Sequence, residues 1–126
     1  MKKLFISCPM RGRTEEAIRT TMEQMHRIAE AVFDEELEVI QTYIEDTPPD
    51  TNNVSLWCLG KSIQMMADAD YFIGIRDEVK AYNGCIVENH AASRYGIPSF
   101  FISIDLVAPD VYEAREQAKR FYNGRP

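Results

Sequence analysis

Apolar positions in this chain alternate between short continuous runs and longer stretches with three-to-four spacing. The first run, Leu4-Phe5-Ile6, breaks at Ser7-Cys8-Pro9-Met10-Arg11-Gly12-Arg13, which predicts a strand followed by a turn. From Thr14 to Phe33, Ile18, Thr21/Met22, Met25, Ile28/Ala29 and Val32 recur at helical spacing, with charge opposite. Thr14 is placed to cap that helix, and Glu15 and Glu16 complement its positive end. Leu37 to Tyr43 predicts a second strand, and the polar segment through Asn53, with Pro48-Pro49, predicts a loop. A second helix is expected from Ser55 to Ala67, with Leu56, Leu59, Ile63 and Met66 facing inward. Ala69 to Ile75 has the apolar continuity of a buried parallel strand. A charged loop follows, then a helix from Gly84 to Arg94 that Gly96 and Pro98 would close. Ser99 to Ile104 predicts a fourth strand and Pro109 to Tyr122 a last helix.

The order βαβαβαβα implies an α/β fold: a parallel sheet of four to five strands with helices on both faces. Strand order 2-1-3-4 is the economical arrangement, and it opens a crevice between strands one and three, where ligands of such sheets sit. The turn after strand one would enter that crevice, carrying Arg11 and Arg13 to the start of the first helix. Free amides and the helix dipole there favour a phosphate or carboxylate. Solvated surface arginines are the competing explanation. In Asn83-Gly84-Cys85-Ile86-Val87-Glu88, Gly84 permits a sharp helix entry and Glu88 falls one turn in, toward the crevice. On these residues alone, a carboxylate that merely complements the dipole or caps the helix is the simpler reading of Glu88. His90 lies two positions on, on another face, so the two are not expected to act as a pair.

With 126 residues the chain fits one domain, residues 1–126, large enough to bury a core. Net charge of −6 argues against binding a nucleic-acid polymer, but not against holding a small anion with local arginines. No apolar run approaches the length of a membrane span or of a signal-peptide core, so no membrane partner and a cytoplasmic location are expected. Cys8, Cys58 and Cys85 form no C-x-x-C pair, and with two histidines they suggest neither a disulfide framework nor a metal site. Asp34-Glu35-Glu36 reads as a solvated turn. No metal or organic cofactor is implied.

The Met10-Arg11-Gly12 turn, the Ala69-Asp70 pair ahead of an apolar strand, and the Gly84-Cys85-x-x-Glu88 helix start occur in a telling order. Together they resemble the nucleoside 2-deoxyribosyltransferase-like superfamily, which includes the 2'-deoxynucleoside 5'-monophosphate N-glycosidases. The segment Leu56-Trp57-Cys58-Leu59-Gly60-Lys61-Ser62-Ile63 resembles an uncharacterised bacterial and phage branch of it. The resemblance spans roughly residues 2 to 104. It implies a flavodoxin-like fold, a homodimer or larger assembly, and a small-molecule nucleoside or nucleotide as partner. It also implies that Glu88 attacks the anomeric carbon of deoxyribose, as the nucleophile of a retaining glycosidase does. Arg11, with Gly12 and Arg13, would hold a 5'-phosphate through charge-assisted hydrogen bonds. The remaining substrate contacts are expected from Ser7, Cys8 and Met10 in the opening turn, from Ser62, and from Tyr82, Asn83 and Gly84.

Two positions depart from the family pattern. Ser62 stands where an aspartate usually precedes the Ala-Asp aspartate by eight residues, and a hydroxyl cannot replace a carboxylate in acid–base work. Phe5 stands where the glycosidases carry a tyrosine. Tyr43, Glu45 and Asp46, after strand two, could compensate from the other side of the crevice. Cys8 and Cys85 occupy settings that can activate a thiol, although small packing residues are the simpler reading. Tyr82 is the better candidate to cover a base and Trp57 the lesser one. The surplus of large apolar residues on helix two (Leu56, Trp57, Leu59, Met65, Met66) predicts a homodimer interface. Three functions compete: an N-glycosidase or deoxyribosyltransferase, a non-catalytic nucleotide or nucleotide-signal binding module of the same fold, and a structural protein.

Overall fold

The computed structural model describes residues 1–42, 47–76 and 82–111. The strands among these residues are β1 (Lys2–Ile6), β2 (Leu37–Val39), β3 (Tyr71–Ile75) and β4 (Ser99–Ile102). They pair in parallel in the order β2-β1-β3-β4. Between them run α1 (Glu15–Phe33), α2 (Val54–Met66) and α3 (Asn83–Arg94), and the short α4 (Ile104–Val107) follows β4. The result is a Rossmann/flavodoxin-like α/β sandwich.

Right-handed crossovers decide which helix covers which face. The step from β1 to β2 runs opposite to the steps from β2 to β3 and from β3 to β4, so α1 lies on one face and α2 and α3 on the other. Side-chain alternation along β1 follows the same division. Leu4 and Ile6 join Met25, Ala29, Ile73, Ile75, Ile104 and Val107 in the core beneath α1 and α4. Phe5 points the other way and stacks on Phe72 with ring centroids 5.7 Å apart, beside Met66 and Ala92.

Local signals in the helices act as expected in several places. The Thr14 side chain accepts a hydrogen bond from the Ala17 amide at 3.1 Å. Gly96, one residue past the cap of α3, adopts φ +73, a conformation that a side chain would strain. Gly74 in β3 exists for closeness rather than flexibility. A Cβ there would sit 2.8 Å from the Phe72 ring and nearer still to Asn89 Oδ1. That clearance lets α3 press onto the sheet, where Asn89 Nδ2 donates to the Ile75 carbonyl at 2.6 Å.

Several expectations are corrected. The second strand ends at Val39, one further ladder bond running from Ile40 N–H to the Leu4 carbonyl at 2.9 Å. The fourth ends at Ile102, because Ile104 already begins α4. Leu56, expected inward, is 62 % exposed, and Met66 is the one buried residue of α2. Val54, Ser55 and Leu56, which open α2, are all exposed, and Leu59 lies against the start of α3, within 3.9 Å of the position a Cβ on Gly84 would occupy. Val32 on α1 is also exposed. Glu35 is more than a solvated turn residue, since it accepts a hydrogen bond from the Tyr71 hydroxyl and pairs with Lys2 at 3.7 Å. Tyr43, Glu45, Asp46 and most of the last predicted helix lie outside the described residues.

Candidate active site

The crevice at the carboxyl ends of β1 and β3 receives the turn of residues 7–13 and the start of α3. Ser7 is the first residue beyond β1, and its amide donates to the Ile73 carbonyl at 2.9 Å, which continues the β1–β3 ladder by one residue. By strand alternation its side chain follows that of Phe5 toward the α3 side. There the Ser7 hydroxyl donates to Glu88 Oε1 at 2.7 Å. Glu88 lies in the second turn of α3 and is buried, as is Ser7. Two residues 81 positions apart thus meet at the point where the strand order reverses.

Burial is the dominant influence on Glu88 and pushes its carboxyl from an ordinary 4.5 up to about 7, with the Ser7 hydroxyl pulling the other way. A carboxylate titrating near neutrality in a ligand crevice is suited to nucleophilic or proton-transfer work. The neighbouring thiols behave differently. Burial pushes Cys8 up to about 12, against the opposing pull of Arg13, and pushes Cys85 up to about 11. Both stay protonated at neutral pH, which removes the activated-thiol reading and leaves packing.

The two arginines of the opening turn part company. Arg13 has a side chain only 2 % exposed, and its guanidinium meets internal acceptors on every side. It donates to the Pro9 carbonyl at 2.8 Å, the Ala17 carbonyl at 3.3 Å and Thr21 Oγ1 at 2.7 Å. Both oxygens of Asp110 accept from it at 2.9 Å. Burial works against the charged guanidinium, but the Asp110 hydrogen bonds and charge outweigh it, so its pKa is raised. Thr21, at an expected core position of α1, in turn donates to the Val107 carbonyl at 2.6 Å. Arg13 therefore clamps the turn to α1 and to the chain after α4. Arg11 and Met10 stay exposed on the turn, and Gly12 takes φ +73 beside them.

Tyr82 fastens the two halves of the site together. Its hydroxyl donates to the Arg11 carbonyl at 3.2 Å, drawing the Arg11 turn against the start of α3. No side chain caps α3, and its first intrahelical bond runs from Ile86 N–H to the Tyr82 carbonyl. Asn83 and Gly84 occupy its first two positions. The structure thus gathers Ser7, Arg11, Gly12, Tyr82, Asn83, Gly84 and Glu88 at one end of the sheet. Ser62 is half-buried on α2, with no described contact to Glu88. A cavity of ≈ 290 Å³ is lined by Arg76, Asn89, His90, Ser93 and Phe101, and Glu88 is not among its lining residues.

Asn89 and Asp110 were not singled out by sequence reasoning. Asn89 follows a candidate nucleophile and sits opposite a strand glycine, a pattern consistent with a helix-to-strand contact. Asp110 carries no sequence signal that pairs it with Arg13, 97 residues away. None of the helices among the described residues is long and apolar enough to cross a membrane. In comparisons with known proteins, no family model, no curated protein and no solved structure matches this chain.

Proposed function

We propose that this protein is an N-glycosidase that cleaves, or transfers across, the glycosidic bond of a deoxynucleoside 5'-monophosphate. One observation carries the reading: a buried carboxylate, Glu88, reaches the switch point of the sheet and is met there by Ser7, the first residue beyond β1. Glu88 is the nucleophile. Its oxygen bonds to C1' as the C1'–N bond breaks, and the bonding pair leaves with the base, which takes a proton from water. A second water then adds at C1' and displaces the carboxylate, releasing its extra proton to solvent. The anion stabilises the oxocarbenium-like centre in both steps. Arg11, on the turn that Tyr82 holds against α3, anchors the 5'-phosphate. Arg13 supports that turn from within.

The test incubates the protein with each deoxynucleoside 5'-monophosphate and follows free base by chromatography. Release is expected from the wild type and lost in Glu88→Gln, while Arg11→Ala raises KM. Release should increase with pH through about 7, as Glu88 ionises. Ser62, a hydroxyl where a second carboxylate would assist the leaving base, favours one other reading: a module that binds the nucleotide without cleaving it. Saturable binding with no base release would establish that alternative. The proposal includes a cytoplasmic homodimer that meets through α2, where Val54 and Leu56 are 47 % and 62 % exposed. A monomer in light scattering at micromolar concentration would remove the dimer from it.

A further inference from the structure

We propose that Ser7 is a positioning residue for Glu88, its hydroxyl holding Oε1 so that Oε2 is the oxygen presented to the anomeric carbon. This rests on the glycosidase reading and adds to it a division of labour between the two carboxylate oxygens. Three features of the site carry it. First, Ser7 is 1 % exposed, so a ligand cannot reach its hydroxyl without displacing Glu88. The resemblance places Ser7 among the substrate contacts, but its position gives it a partner within the protein instead. Second, the serine cannot drift. Its amide is bound to the Ile73 carbonyl at 2.9 Å, so the β1–β3 register sets where its side chain stands. Third, the two oxygens of Glu88 are treated differently. Oε1 accepts from Ser7 at 2.7 Å, whereas Oε2 accepts no hydrogen bond from any described residue.

A serine hydroxyl has one proton to donate, and the Cys85 thiol, the other titratable group beside Ser7 and Glu88, stays protonated at neutral pH and does not compete for it. Given to Oε1, it restrains rotation of the carboxylate about its last torsion and favours the ionised form, which a nucleophile requires. Phe5, where the glycosidases carry a tyrosine, is buried and stacked on Phe72, so it offers no polar group to this carboxylate. Ser7, two residues along the same strand direction and on the same face, supplies the donor.

The experiment combines two readouts on Ser7→Ala, Ser7→Thr and Ser7→Cys. In the ligand-free protein, the Glu88 carboxyl is titrated by carbon NMR, its signal identified by its loss in Glu88→Gln. With deoxynucleoside 5'-monophosphates, kcat and KM are measured across pH. Ser7→Ala is expected to move the Glu88 midpoint upward by about one pH unit, the tenfold change that loss of one hydrogen bond to a charged group implies. The acid limb of kcat should move with it, kcat at neutral pH should fall about tenfold or more, and KM should stay near the wild-type value. Ser7→Thr, which keeps the hydroxyl, should restore both. Ser7→Cys, a weaker donor of similar size, should shift both in the same direction by less, and serves if the alanine variant does not fold. An unchanged Glu88 midpoint in Ser7→Ala overturns the inference. A raised KM with kcat intact does so as well, because the hydroxyl would then be touching substrate. Should the wild type release no base while the midpoint still shifts, the glycosidase reading fails. Ser7 would then be only the structural partner of a buried acid, and the positioning role falls with that reading.

Discussion

Replacing Glu88 with glutamine should make the protein more stable in neutral and alkaline solution, and the gain should depend on pH in a calculable way. Folding moves this carboxyl from 4.5 to about 7, chiefly by taking it out of water. At about 1.4 kcal/mol for each factor of ten, the ionised form opposes folding by about 3 kcal/mol. The direction follows from the protons bound in each state. Below about pH 4.5 the acid is protonated whether the chain is folded or not, and no penalty arises. As pH rises from there the unfolded chain releases its proton first, so stability falls. Above about pH 7 the folded protein also ionises, and the loss is complete. Glutamine resembles the protonated acid, can still accept the Ser7 hydrogen bond at its carbonyl oxygen, and has no proton to lose. Urea denaturation of both proteins, repeated from about pH 4 to pH 8, isolates this one group because all other titrations cancel in the difference. The two proteins should agree within about 1 kcal/mol at the acid end, and the variant should lead by about 3 kcal/mol at the alkaline end. A difference that stays flat, or that shrinks as pH rises, would refute the claim that Glu88 is desolvated in the fold, and with it the basis for a neutral-pH nucleophile.

Other consequences are local. Arg13→Ala should cost roughly 2–4 kcal/mol in denaturant unfolding, because the Pro9 and Ala17 carbonyls and the Thr21 hydroxyl lose a buried donor. Asp110→Asn should cost only about 1 kcal/mol, since Asp110 is 47 % exposed and its pair with Arg13 is partly screened. Gly74→Ala should destabilise by about 1–3 kcal/mol in the same assay, the new methyl pressing on the Phe72 ring and on Asn89. An aromatic disulfide reagent applied to the native protein at neutral pH should label Cys58 first. Cys8 and Cys85, buried and held as thiols, should react only at the rate of unfolding.

The chain's own pattern determined the layers and their order. Strand and helix periods differ by nearly twofold, so runs such as Tyr71–Ile75 and the repeating face of α1 declare themselves without knowledge of their neighbours. Handedness then leaves few ways to arrange four parallel strands, and the crevice follows from the strand order. Caps such as Thr14 are legible for the same reason, because donor and acceptor are three residues apart. Which residues meet across that crevice was decided only in three dimensions. Two arginines separated by one glycine look equivalent in sequence, yet Arg13 is drawn inward by five acceptors while Arg11 stays outside. Leu56 has the spacing of a core residue, but it lies in an exposed first turn of α2, and the burial of that helix falls at its far end on Met66. Above all, the raised pKa of Glu88 depends on burial, and the hydroxyl that opposes the rise comes from a serine 81 residues earlier. Desolvation and hydrogen bonding act over a few ångströms of space, and separation along the chain does not report that distance.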